Sequence, residues 1–173
     1  SDNMDSHVAG SGNNYFPYNG SPYNYDECWV LASGSANCSS SQHESGANSL
    51  YIYGNGSQSI AALSEFDESI ENLQITFDAL STVSGSELAI GVWSELYSTF
   101  TQLHTVTISP LSAWDGYTFP FTNYGAMQDA GDRLALKVVG SHNVYIDNIV
   151  VEAIPGCQRP TQLSVVSGTE NIA

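Results

Sequence analysis

The sequence predicts an all-β protein, a sandwich of two antiparallel sheets, and three observations carry that expectation. Seven stretches alternate apolar and polar residues with the period of two that half-buried strands require. Each is bounded by Gly, Ser, Asn, Asp or Pro, the residues that end strands and make turns. Few windows keep apolar residues at i, i+3, i+4 and i+7 for three turns, so helices have little support. Seven or more short strands in one domain-sized chain bury their apolar faces most simply against a second sheet.

Taken in order, residues 13–23 form a turn-rich loop, Asn13-Asn14-Tyr15-Phe16-Pro17-Tyr18-Asn19-Gly20-Ser21-Pro22-Tyr23. Its aromatics are too many for a plain linker, so the loop is expected to pack on the sandwich. Strands are then expected at Leu50–Tyr53, Leu73–Leu80, Glu87–Trp93, Leu103–Ile108, Tyr117–Phe121, Arg133–Val139 and Asn143–Ile154. Alternation turns Leu50, Ile52, Leu73, Ile75, Phe77, Leu88, Ile90, Val92, Leu134, Leu136, Val138, Val144 and Ile146 inward. It turns Tyr51, Tyr53, Gln74, Thr76, Asp78, Trp93, Ala135 and Lys137 outward. Beyond Ile154, Pro155-Gly156 and Arg159-Pro160 punctuate the chain before a new strand pattern begins at Thr161. The expected organisation is one module over residues 1–154, followed by a link and the start of another domain over 155–173.

Charge excludes some partners. The chain carries 18 Asp plus Glu against 3 Lys plus Arg, a formal net charge of −15. Phosphate backbones are gripped by clustered cations, so a nucleic-acid role is excluded, and an anionic membrane surface is disfavoured. No apolar run approaches the ~20 residues that cross a bilayer, so membrane insertion is not expected. Only 12% of residues are charged although 42% are hydrophobic. The polar surface must therefore come from Ser, Thr, Asn, Gln, Gly and Tyr, while the net charge suits neutral or cationic ligands better than polyanions. The three cysteines, Cys28, Cys38 and Cys157, match no zinc spacing and read as one disulfide plus one thiol. Cys28 and Cys38 are close enough in sequence to bridge. Few lysines, abundant Ser, Asn and Tyr and a disulfide point to an extracellular or cell-surface setting.

Three stretches carry a family resemblance. Ser1-Asp2-Asn3-Met4 precedes Glu27-Cys28-Trp29; Glu44-Ser45-Gly46-Ala47-Asn48-Ser49-Leu50-Tyr51-Ile52 follows; Val144-Tyr145-Ile146-Asp147-Asn148-Ile149-Val150-Val151 closes the module. In this order they resemble the jelly-roll modules shared by carbohydrate-binding modules, MAM-type domains and the cleaved-adhesin domains of Bacteroidetes surface proteins. Residues 155–163 resemble the link leading into fibronectin type III-like repeats of such proteins. The resemblance implies a jelly-roll fold, a segment of a multidomain chain, and a binding role toward poly- or oligosaccharide with neighbouring domains as further partners. It also implies a structural calcium held by Asp2, Asn3, Ser45, Asn48 and Asp147. A disulfide between Cys28 and Cys157 is implied as well, which leaves the pairing open.

Binding sites follow from the outward set. Sugar rings stack their C–H faces on Trp and Tyr while their hydroxyls need polar partners. Trp93, Tyr51 and Tyr53 are the expected stacking rings on one face, with Gln74, Asp78 and Lys137 as hydroxyl partners. Trp114 and Tyr117, in the turn-like segment 112–117, offer a second platform. The competing expectations are that a loop or the second sheet covers the rings, and that Trp114 caps the core. For Asp147 the plain alternative is an exposed strand carboxylate.

Catalysis has less support. Glu65, Asp67, Glu68 and Glu71 resemble the acid pattern of jelly-roll glycosidases, but their spacing departs from it and a solvated turn is the better reading. His7, His43, His104 and His142 are dispersed, and neither a nucleophile elbow nor a phosphate loop occurs. The chain therefore reads as a non-catalytic binding module, with a structural or protein-interaction domain as the alternative and a glycoside hydrolase behind it.

Overall fold

A computed structural model describes residues 4–5, 9–10, 16, 29–54, 56, 58–108, 113–122, 124 and 129–155. Ten strands make two five-stranded antiparallel sheets. The first sheet contains β1 (Val30–Ser33), β4 (Ser59–Ala62), β9 (Asp132–Val139), β6 (Ser86–Ser94) and β7 (Thr99–Ile108), in that spatial order. The second contains β2 (Ser35–Ser39), β3 (Ser49–Tyr53), β10 (Val144–Ala153), β5 (Leu73–Ser81) and β8 (Asp115–Pro120). The chain passes repeatedly from one sheet to the other, as a jelly roll does.

All seven expected strands occur, and alternation assigned their faces. Each of the thirteen residues expected inside is buried, with exposures of 0–4%, in one core between the sheets. Burying a Leu, Ile or Phe side chain is worth roughly 1.5–3 kcal/mol, so this shared interior drives the closure. Three strands were not anticipated: β1, β2 and β4. They are short and rich in Ala and Ser, and all four residues of β4 are buried, so neither propensity nor alternation marks them.

Gly34 joins β1 to β2 across the two sheets. Its φ is +72°, and a Cβ there would meet the Ser59 Cα at 2.6 Å, so both conformation and space call for glycine. Of the aromatic N-terminal loop only Phe16 is described. It is fully buried, edge-on to Trp29 with ring centroids 6.2 Å apart, as expected of a loop that packs on the sandwich. Residues 156–173, with the proposed following domain, lie outside the described residues.

Candidate functional site

Cross-strand register decides which outward residues meet. In the second sheet Asn37 of β2 pairs with Tyr51 of β3, and Tyr51 pairs with Tyr145 of β10. Alternation turns all three away from the core, so amide and rings form one row. Tyr51 and Tyr145 stack at 4.3 Å with planes 21° apart, and Tyr53 meets Tyr51 edge-on at 4.3 Å. The three rings, with Asn37, Ser39 and Ser41 and the chain at residues 9–10, line a cavity of about 300 Å³. Among the described residues no charged side chain lines it.

Burial, followed by the neighbouring Tyr145 and Tyr53, pushes the Tyr51 hydroxyl well above the ordinary phenol range, and burial pushes Tyr145 up as well. Tyr51 and Tyr145 are also hydrogen-bonded to each other through their hydroxyls. Asn37 is only 2% exposed. Its Nδ2 donates to the Gly10 carbonyl at 2.5 Å and to the Cys38 carbonyl at 2.9 Å, while Gly10 N–H donates to Cys38 O at 3.0 Å. Its Oδ1 is buried with no hydrogen-bond partner among the described residues. Such an orphaned acceptor costs roughly 1–3 kcal/mol until something donates to it.

The sequence stretch 44–48 wraps one end of this face, and two carboxylates hold it there. Asp147 Oδ2 accepts the N–H groups of Glu44 and Ser45 at 2.9 and 3.0 Å, and its Oδ1 accepts that of Asn148 at 2.7 Å. Asp5 Oδ1 accepts Ala47 N–H at 2.6 Å and Asn48 N–H at 3.1 Å. Between them Gly46 has φ +59°, and a Cβ would fall 1.6 Å from Asp5 Oδ2. Asp147 is therefore neither unpaired in the core nor an exposed strand carboxylate: it is 0% exposed, on the outer side, beneath the loop it anchors. Asn148, at φ +51° in the β10 bulge, accepts Ser45 Oγ at 2.6 Å and donates to Asp78 Oδ2 at 2.7 Å.

Asp5, Asp147, Ser45, Asn48 and Asn148 bring only oxygen acceptors and amides to this junction, the donor chemistry a hard cation takes. The described oxygens of the two carboxylates already serve five backbone N–H groups, so loop anchoring needs no metal. Asp2 and Asn3 lie outside the described residues, and no cluster of three or more His, Cys, Asp or Glu with metal-binding geometry occurs among those described.

The first sheet presents a different outer face. Trp93 and Lys137 belong to it, which corrects the expectation that they share a surface with Tyr51 and Tyr53; the sandwich interior separates the two groups. Period-two reading gives the side of a strand but not the sheet that holds it. Trp93 pairs with Phe100, and both pack around Ile60, Ala62 and Ala135 with Val30 and Ala32. The Lys137 ammonium lies 5.2 Å from the Phe100 ring centroid. Ala135 faces outward as expected but is covered, at 1% exposure. The β6–β7 hairpin extends this side with Leu96 and Tyr97, 66% and 62% exposed.

Other expected site residues are engaged elsewhere. Gln74 donates to Glu152 at 2.7 Å, toward the far end of the second sheet, and Asp78 accepts from Asn148. Tyr117 lies within β8, not in a loop, and its ring faces inward beside Phe77, with centroids 5.7 Å apart. Trp114 is half-buried just before that strand. The two therefore form no platform: one residue of the segment is strand and core-facing. Glu65 pairs with Arg133 at 2.9 Å, Arg133 also pairs with Glu95 at 2.8 Å, and Glu68 accepts from Asn72 at 2.6 Å. Cys38 is a buried thiol whose Sγ donates to the Met4 carbonyl at 3.5 Å, so the Cys28–Cys38 bridge is not formed here. Cys28 and Cys157 lie outside the described residues.

Sequence reasoning missed Asn37, Ser39, Ser41 and the ring role of Tyr145. Alternation of Tyr145 with Val144 and Ile146 was a usable signal for the last. Nothing local marked β2, so Asn37 had none.

No family model and no curated protein matches this chain. Solved structures resemble it in fold. The CBM22-1 xylan-binding domain of Paenibacillus barcinonensis Xyn10C aligns with a TM-score of 0.51 at 11% identity, over 84% of this chain and 96% of that one. The C-terminal family 22 carbohydrate-binding module of Clostridium thermocellum Xyn10B aligns with a TM-score of 0.49 at 16% identity, over 84% and 96%. TmCBM61, solved with β-1,4-galactotriose, aligns with a TM-score of 0.48 at 11% identity, over 75% and 89%. These three are carbohydrate-binding modules, and at these identities the likeness concerns architecture alone.

Proposed function

We propose that this chain is a non-catalytic carbohydrate-binding module of a secreted or surface-displayed multidomain protein, adhesin-like in role, that takes a poly- or oligosaccharide on the tyrosine face of its second sheet. The observation that carries this reading is the cavity in which three tyrosine rings stand beside the Asn37 amide and the Ser39 and Ser41 hydroxyls, with no charged side chain among its described lining residues. Rings offer stacking surface to sugar C–H faces, and amide and hydroxyl groups meet the sugar hydroxyls. Because β3 and β10 fix the tyrosines in register, little ordering entropy is lost when a saccharide docks. The jelly-roll likeness supports the reading only as an architecture on which such binding occurs.

Calcium is proposed as an addition at the junction of Asp5, Asp147, Ser45 and Asn48, with Asp2 and Asn3. When bound it would neutralise carboxylates gathered at one loop, and saccharide contact does not run through it. Melting in calcium against chelator tests it: a raised Tm in calcium supports the site, and an unchanged Tm removes it.

A second reading rests on the Trp93–Phe100 patch, which suits packing against a neighbouring domain of the same chain. Affinity electrophoresis on polysaccharide gels separates the two. Retention of the wild type that is lost in Tyr53→Ala but kept in Trp93→Ala supports the saccharide reading; failure of the wild type to be retained on any neutral polysaccharide overturns it.

A further inference from the structure

We infer that Trp114 forms the far end of the saccharide site, which therefore takes an extended oligosaccharide lying across the strands and not a single terminal sugar; this rests on the saccharide reading above. Cross-strand register carries the row of outward residues past the cavity. Asn37 pairs with Tyr51, Tyr51 with Tyr145, and Tyr145 with Leu80 of β5. The β5–β8 ladder ends where Ala79 meets Asp115, so the next step sets Trp114 opposite Leu80. Tyr117 and Asp115 pair with Phe77 and Ala79, both of the core between the sheets. Alternation then turns Trp114 outward, in line with Tyr145 and away from Tyr117.

Leu80 is the floor between the two rings. It lies opposite Tyr145 on the outer side, yet it is only 4% exposed. Trp114 is half-buried, which leaves indole surface for a ligand. Adjacent strands lie about 4.8 Å apart, so the Tyr145 and Trp114 positions are about 10 Å apart and the row from Asn37 spans about 19 Å. The shorter distance is that of roughly two pyranose units in an extended chain, and the whole row holds roughly four. Rings near both ends can then stack on sugar C–H faces. Direction follows from the next row of residues. Asp147 pairs with Asp78 there and holds the N–H groups of Glu44 and Ser45 over it. A saccharide laid along β10 from Tyr145 would run into that loop, so the open course is across the strands.

The test titrates the full chain, by calorimetry, with the neutral di-, tri- and tetrasaccharides of β-1,4-xylan, -mannan, -glucan and -galactan. Indole signals of the ¹⁵N-labelled chain are followed in parallel, that of Trp114 being assigned by its loss in Trp114→Phe. In at least one series the tetrasaccharide is expected to bind about tenfold more tightly than the disaccharide and to shift the Trp114 indole signal. In Trp114→Ala that gain with length is expected to vanish. Binding that is lost in Tyr53→Ala but leaves the Trp114 indole unmoved, or that does not strengthen beyond the disaccharide, overturns this inference while the tyrosine-face reading survives. Absence of binding by the wild type in every series overturns both. Because the length dependence and the indole shift are read on the wild-type chain, poor folding of Trp114→Ala does not prevent the result.

Discussion

The two outer faces of the sandwich are built from the same strand geometry and yet offer opposite chemistry. On the second sheet the row Asn37, Tyr51, Tyr145 leaves polar atoms and rings around an open cavity. On the first sheet the corresponding surface is floored by Ala62 and Ala135 and closed by Trp93 and Phe100 packing on them. Large side chains beside small ones collapse into a patch, whereas three large rings in adjacent rows hold one another apart from the flanking Ser and Asn residues. The lesson is that an outward aromatic becomes available to a ligand through its cross-strand neighbours, not through its own identity.

The largest expected effect comes from the loop after β2, whose Ser40 and Ser41 line the cavity and whose stretch 44–48 Asp147 anchors. Asp147→Ala leaves the N–H groups of Glu44, Ser45 and Asn148 without their acceptor. It should cost about 3 kcal/mol in chemical denaturation and weaken saccharide retention as well. The matching change on the other face, Trp93→Ala, should leave retention intact. Gly46→Ala should cost about 2 kcal/mol, since its positive φ and the Asp5 carboxylate both oppose a side chain; a wild-type-like Tm would show that the loop can move away.

Removing one ring sharpens the contrast in binding. Tyr53→Ala should weaken affinity by about tenfold, near 1.4 kcal/mol, by isothermal titration with whichever neutral trisaccharide binds, on the scale of one lost stacking contact. A loss of similar size in Trp93→Ala would transfer the site to the first sheet.

Alkali distinguishes the faces without mutation. The folded state holds the Tyr51, Tyr145 and Tyr124 protons longer than the unfolded chain does; burial is the first cause in each, and Tyr124 also donates to Asp132 at 2.8 Å. A raised folded pKa means a stability contribution fully present below the unfolded value of about 10 and lost as pH rises past it. Denaturant midpoints should therefore fall above about pH 10, and phenolate absorbance should appear in two groups, exposed tyrosines first. The smallest effect belongs to the first face: Lys137→Met removes a cation over Phe100 and should change stability by only ~0.5 kcal/mol.

Much of this architecture was legible beforehand because period two is a local property. Leu73, Ile75 and Phe77 declare an inner face by themselves, and the closing stretch from Val144 shows the same alternation. The candidate face was legible in part: Tyr51 and Tyr53 were marked as outward rings, whereas the grouping with Trp93 and Lys137 failed because sheet membership is non-local. Asp147 was singled out for the cost of burying a carboxylate, but its partners, backbone N–H groups about a hundred residues earlier, carry no side-chain signature.

The sequence by itself determined the strand faces and much of the composition of the core, since both depend on residue type and a spacing of two. Tertiary structure alone decided that Asn37 stands beside Tyr51 and Tyr145, and that Trp93 stands on the opposite side of the molecule. The physical reason is that strand pairing is set by the collective burial of both sheets, and no single strand encodes which neighbour will complete its ladder.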